Sequence, residues 1–231
     1  LNAGLVTLGG YGLCDKNIQA TKSMIKRGRD ELTFPTSLDS FVIWTRNNLS
    51  LKKVSDKQKI AINLRINELN EKTLTRIKLI SPHVDYFEFN AHCRQKEVLA
   101  IHGGQTFIEE LSRLNSILGK LREQANFKPW GIKIRGHKVS ESQRLVNILE
   151  SHKIGYLHID LMVPNEPKAD FSMLNEYTKI THIPVIANNS IRTIHDVKET
   201  LKSGATAVSL ARPLLTNTKS IYMLTTALDE N

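Results

Sequence analysis

Cysteine is scarce in this chain: Cys14 and Cys93, far apart, are the only two among 231 residues. That excludes a disulfide framework and a cysteine-based zinc site, and it points to a reducing compartment. No apolar run approaches the length of a membrane span, and the N-terminus has no basic region followed by a signal-like core. The expectation is a soluble, cytoplasmic protein with no membrane partner and no metal. Neither GxGxxG nor GxxxxGK[ST] occurs anywhere, so the glycine-rich first turn of an open nucleotide-binding sheet is missing. There are no low-complexity tracts and no repeats beyond the alternation described below.

What is present suits one large domain. Forty per cent of the residues are hydrophobic, enough for a core without any sign of disorder. The net charge of +9 raises the prospect of a polyanionic partner. The lysines that produce it are spread through amphipathic segments, as at Lys22, Lys26, Lys52, Lys53, Lys57 and Lys59, where such charges commonly solvate a face.

Hydrophobic periodicity then gives a regular order. Leu5-Val-Thr-Leu-Gly-Gly reads as a strand, and Asp15 as the cap of a helix over about 16–29. A helix follows over about 38–48, then a strand from Ile60, a helix over 68–80 and a strand at Tyr86-Phe-Glu-Phe. A long helix is expected over 106–125, a strand at Trp130–Arg135, a helix over 140–152 capped by Ser140, and a strand at Ile154–Asp160. Helices over 171–180, 193–203 and 218–229 alternate with strands at Ile183–Asn188 and Ala207–Arg212. Seven strands, each followed by a helix, imply a parallel sheet covered by helices. A (β/α)8 TIM-type barrel lacking its first βα unit fits better than an open sheet, and the expected organisation is a single barrel domain over 1–231.

Barrels place their active sites at the C-terminal ends of the strands. Those positions carry Asn63 and Arg65, Asn90 and Cys93, Lys133 and Arg135, His158 and Asp160, Asn188 and Asn189, and Arg212. One polar residue in a strand is commonly a satisfied structural group. Six successive strands ending so would each need separate satisfaction in the barrel mouth, and a functional site is the better account. Taken alone, Cys93 is either a small half-buried spacer or a reactive thiol among groups that tune it. The loops after the last two strands are where this architecture grips phosphate, at backbone N–H groups and a helix N-terminus. With a cation at Lys133 against an electron-rich ring, that grip suits a phosphorylated planar cofactor such as FMN.

Several of these segments resemble one family. Asn90-Ala-His-Cys93-Arg-Gln with Gly103-Gly104 resembles the N-x-G-C-P…G-G signature of tRNA-dihydrouridine synthases, which dihydroorotate dehydrogenases partly share. Lys133-Ile-Arg135 is similar to their K-x-R strand end, His158 to the histidine of their H-G-R element, and Ile186–Ile191 to their N-G-D-I phosphate loop. Gly204–Arg212 is similar to their G-A-D-x-V-M-I-G-R, and Asn63 stands where they have a flavin-contacting glutamine. The likeness runs in order from about residue 59 to 215, and its best fit is a short, archaeal-type branch. It implies FMN held by Asn63, Lys133, His158, Asn188, Asn189, Ser190, Ala211 and Arg212, with NADPH as reductant. It further implies Cys93 as the proton donor to a uracil ring carbon, Asn90 and Arg135 on the substrate, and tRNA as the partner. No C-terminal helical tRNA-binding domain like that family's is expected. A dehydrogenase acting on a free small molecule such as dihydroorotate, and a flavin-free nucleotide- or RNA-binding barrel, are the alternatives.

Overall fold

A computed structural model describes residues 3–29, 56–136, 141–166 and 168–211, together with 37, 40, 42–44 and 47. Most of the helix expected over 38–48, the helix expected over 218–229, Ser140 and Arg212 lie outside the described residues. Seven strands hydrogen-bond in chain order, β1-β2-β3-β4-β5-β6-β7. The registers of β1 with β2, β2 with β3, β5 with β6 and β6 with β7 are parallel. The chain divides into two compact units, one over Leu5–Ile132 and the other from Lys133 onward together with the residues before Leu5.

In the first unit, β1 (Leu5–Gly12) leads into α1 (Asp15–Ile25), β2 (Lys59–Arg65) and α2 (Glu71–Ile80). β3 (Tyr86–Ala91) is followed by three helical pieces, α3 (Lys96–Leu99), α4 (Thr106–Glu109) and α5 (Leu111–Gln124), before β4 (Trp130–Arg135). β2 and β3 are buried almost throughout, as parallel strands covered on both faces must be. Their aromatics lock onto neighbours: Phe87 stacks on Trp130 at 4.8 Å, and Phe89 meets the edge of Phe107 at 5.0 Å. The Asp85 carboxylate accepts the N–H of Ile60 at 2.8 Å, pinning the turn before β3 to the start of β2.

The second unit continues β4 and holds α6 (Ser142–Ser151), β5 (Tyr156–Asp160), α7 (Phe171–Ile180), β6 (Val185–Asn188), α8 (Ile194–Lys202) and β7 (Ala207–Ser209). Leu157, Ile159, Leu149 and Leu174 are fully buried in its core. Asp170 caps α7 by accepting the N–H of Met173 at 2.9 Å. Among the described residues no helix is long and apolar enough to cross a membrane.

Four local expectations change. Asp15 is the first residue of α1 rather than its cap, and the N-cap is Cys14, so the Asp15 carboxylate is left to pair with Lys72 and Arg76, each at 3.3 Å. α1 also stops at Ile25, because Gly28 turns the chain with a positive φ of 84°. The helix expected over 106–125 breaks at Glu110, whose ψ of 65° ends α4 and starts α5 in a new direction. α6 starts at Ser142 behind Glu141, which makes no side-chain cap.

Candidate active site

In parallel strands, residues two apart share a face, so a polar residue at the strand end is joined by the one two places before it. On β2 these are Asn63 and Arg65, and on β3 they are Glu88 and Asn90. All four are buried. Asn63 donates through Nδ2 to Glu88 Oε1 at 2.5 Å and accepts through Oδ1 from Asn90 Nδ2 at 2.6 Å. Asn90 Oδ1 in turn accepts the backbone N–H groups of His92 at 3.2 Å and Cys93 at 2.9 Å. The side chain of Asn90 thus builds the turn that ends β3 and presents Cys93. Gly10 of β1 lies over this chain of amides, and a Cβ there would stand 3.0 Å from Asn63 Oδ1 and 3.1 Å from Asn90 Nδ2.

Cys93 is half-buried. One side packs on the apolar cluster of Ala20, Met24 and Val98. Its Sγ is 3.9 Å from Nη1 of Arg65. The Gly103-Gly104 pair acquires a physical reason here. Gly104 has a φ of 59°, and a Cβ on it would fall 2.1 Å from the Cys93 carbonyl oxygen, which accepts the N–H of Gln105 at 3.0 Å. Only glycine lets the returning loop close on the cysteine turn.

The second unit holds its own cluster at the ends of β4, β5 and β6. The Lys133 ammonium stands 3.4 Å from His158 Nε2, which is the acceptor because lysine has only donors. With the Asn188 amide oriented to satisfy both its atoms, Oδ1 accepts from Lys133 at 3.2 Å and Nδ2 donates to the carbonyl of Ile159 at 3.0 Å. Two residues beyond His158, Asp160 is 2% exposed and gathers the loop after β6. Its Oδ2 pairs with Arg135 at 3.2 Å, while Oδ1 accepts from Asn189 Nδ2 at 3.0 Å and from the N–H of Met162 at 3.0 Å.

Asn189 and Ser190 both have positive φ, 72° and 57°. This is the left-handed conformation that glycine or asparagine adopts with least strain. The Asn189 side chain folds back onto Asp160 and accepts the N–H of Ser190 at 3.0 Å. The loop then runs to α8, where Thr193 and Asp196 form a reciprocal capping box.

Of the sequence-derived site residues, Asn63, Asn90 and Cys93 are joined in the first unit, and Lys133, Arg135, His158, Asn188, Asn189 and Ser190 in the second. Ala211 is exposed two residues past β7, and Arg212 lies outside the described residues. Arg135, expected on the substrate, is buried against Asp160. Sequence reasoning left Glu88 and Asp160 without roles, although the two-residue spacing from Asn90 and His158 already put each on the face that matters. Among the described residues no group of three or more His, Cys, Asp or Glu is placed to hold a metal ion.

No family model matches the chain. An uncharacterized protein of Methanocaldococcus jannaschii, MJ0144, is 30% identical over 214 residues, which cover 91% of this chain and 80% of that protein. Among solved structures, DHODH from Eimeria tenella in complex with ferulenol superposes with a TM-score of 0.58 at 13% identity, over 77% of this chain and 58% of that one. A protein of Burkholderia cenocepacia J2315 described as a phosphonomutase gives a TM-score of 0.54 at 8% identity, over 98% and 85%. This chain therefore spans little more than half of the DHODH structure. At these identities the likeness is one of fold, an α/β fold shared with two enzymes.

Proposed function

This chain belongs to the same family as the uncharacterized Methanocaldococcus jannaschii protein MJ0144, and we propose that it is an FMN-dependent oxidoreductase that reduces a uracil-type C=C bond, with uridine in tRNA as substrate. The observation that carries this reading is the Lys133–His158–Asn188 cluster, followed by a left-handed turn at Asn189-Ser190. Under this proposal the fold is a (β/α) barrel, and the turn is its phosphate grip.

The residues present fit the cofactor. A lysine ammonium held between an imidazole and an amide suits the electron-rich edge of a flavin ring. Asn189 and Ser190 stand where the dihydrouridine synthase pattern has glycine and aspartate. Asn189 nevertheless takes up the backbone conformation open to glycine, and its side chain is folded onto Asp160 rather than out over the turn. FMN, when bound and reduced by NADPH, supplies the hydride chemistry. The chain's own part is position and one proton. Lys133, His158 and the Asn188–Ser190 turn would hold the cofactor, and the resemblance adds Arg212 as a further phosphate ligand. Under this proposal Cys93 would be the proton donor to a ring carbon of the substrate, taking a proton back from solvent. Asn90 fixes that thiol through its two backbone hydrogen bonds.

The absorption spectrum of the purified full-length protein tests the reading. A bound yellow chromophore is expected, and a colourless protein that cannot be reconstituted with FMN would overturn it. Reduced enzyme offered bulk tRNA and free pyrimidines then separates substrates. Dihydrouridine formed only in tRNA supports the proposal, and turnover only of free pyrimidine sinks its tRNA half.

A further inference from the structure

Arginine keeps its charge in any protein interior, so a buried guanidinium calls for an anion or a full set of acceptors. Arg65 has neither. It is 2% exposed at the end of β2, its Nη2 donates to Thr21 Oγ1 at 2.8 Å, and its Nε has no partner. Nη1 meets the sulfur of Cys93, at 3.9 Å. Among the described residues no carboxylate pairs with it: Asp15 is engaged by Arg76, Glu97 by Arg27, and Glu88 by Asn63. Burial pushes the guanidinium pKa down, Cys93 opposes that shift, and the positive charge of Arg29 adds to it. A buried guanidinium that no carboxylate neutralises among the described residues makes a site of positive potential.

We propose that Arg65 anchors an oxyanion subsite beside Cys93, taking a carboxylate or phosphate group of a ligand on the Nη1 edge that faces the thiol. The planar guanidinium suits both groups: Nη1 gives no hydrogen bond to an oxygen among the described residues, and beside it Nη2 carries a second N–H besides the one given to Thr21. Thr21 orients the guanidinium through Nη2, and half-exposed Cys93 marks the side open to solvent. The subsite goes beyond the flavin reading and does not depend on it, since every group in it lies in the first unit.

The test is the rate at which iodoacetamide alkylates Cys93 in the native full-length protein, followed by peptide mass spectrometry. Fully buried Cys14 is the internal control. Inorganic phosphate and acetate are added separately, against chloride at equal ionic strength. Protection of several-fold by phosphate, by acetate or by both is expected, and the effective ion tells which ligand group the subsite takes. Equal alkylation rates in all three salts would overturn the proposal without any variant having to fold. Arg65→Lys keeps the charge and loses the fork, so protection should fall sharply in it at an unchanged unfolding temperature. Undiminished protection in Arg65→Lys and Arg65→Gln would also overturn the proposal. Protein colour, read on the same sample, keeps the two readings apart: a yellow protein without protection sinks only the subsite, and a colourless, protected one sinks only the flavin.

Discussion

Asp160 is the residue on which the second cluster turns. One buried carboxylate holds Arg135, the side chain of Asn189 and the N–H of Met162. Removing one partner of a buried ion pair leaves the other charge uncompensated, so Asp160→Ala should destabilise the protein by about 3–5 kcal/mol. Urea denaturation measures this, and a loss below about 1 kcal/mol, the level of an exposed pair, would mean that Arg135 is solvated instead. Cys93 makes the opposite case. Its thiol is not the centre of a hydrogen-bond network, so Cys93→Ala should leave flavin absorbance intact while slowing substrate reduction by about 10²–10⁴-fold, the usual worth of a positioned acid. Parallel loss of colour and rate would show a structural role. At this scale the sequence was half legible. The strand-end positions of His158 and Asn188 followed from the alternation, but Asp160 finds Arg135 and Asn189 only through strand pairing and a left-handed turn that no spacing specifies.

Among the elements, α8 matters most for the proposed phosphate turn, and it begins in a titratable cap. The Thr193 hydroxyl accepts the N–H of Asp196 at 3.2 Å, and Asp196 Oδ2 accepts the N–H groups of Arg192 at 2.9 Å and Thr193 at 2.8 Å. Burial pushes the Asp196 carboxyl up, but the backbone N–H groups of Arg192 and Thr193 and the Thr193 hydroxyl outweigh it, and the net shift is below the ordinary carboxylate value. A folded-state pKa lower than the unfolded one stabilises the fold above the unfolded value. That contribution is lost as pH falls through the folded value. Wild-type protein should therefore melt higher than Asp196→Asn at neutral pH, and the gap should close as the carboxyl protonates. A gap that persisted into acid would assign the effect to shape rather than charge. Thr193→Ala, which removes the other half of the box, should cost about 1 kcal/mol at neutral pH. Elements were the most legible level, because strand cores such as Phe87–Phe89 and helix faces such as Leu114–Leu121 announce their period. Their ends were not. Cys14 displaces Asp15 at a cap, and Glu110 breaks a helix whose apolar spacing runs straight through it.

Over the whole molecule, the parallel order of the strands was legible because each βα alternation admits little else, whereas the substrate was not, because a charge of +9 belongs to no single face. That charge nevertheless separates the two candidate substrates. A protein that neutralises phosphates releases condensed counterions, and its affinity falls as a power of salt concentration set by the number of contacts. With three phosphates engaged, the KM for tRNA should rise about forty-fold between about 50 and 200 mM salt, taking the duplex slope per contact. A free neutral pyrimidine releases no such atmosphere, so its KM should stay flat over the same range. The comparison needs only steady-state rates on one protein preparation. Because flavin content can be read in each cuvette, cofactor loss at high salt is kept apart from weakened substrate binding. A steep KM with constant colour is the outcome that tRNA demands. A flat KM for tRNA would mean that the basic residues merely solvate their helices, and the reduced bond would then belong to a small molecule.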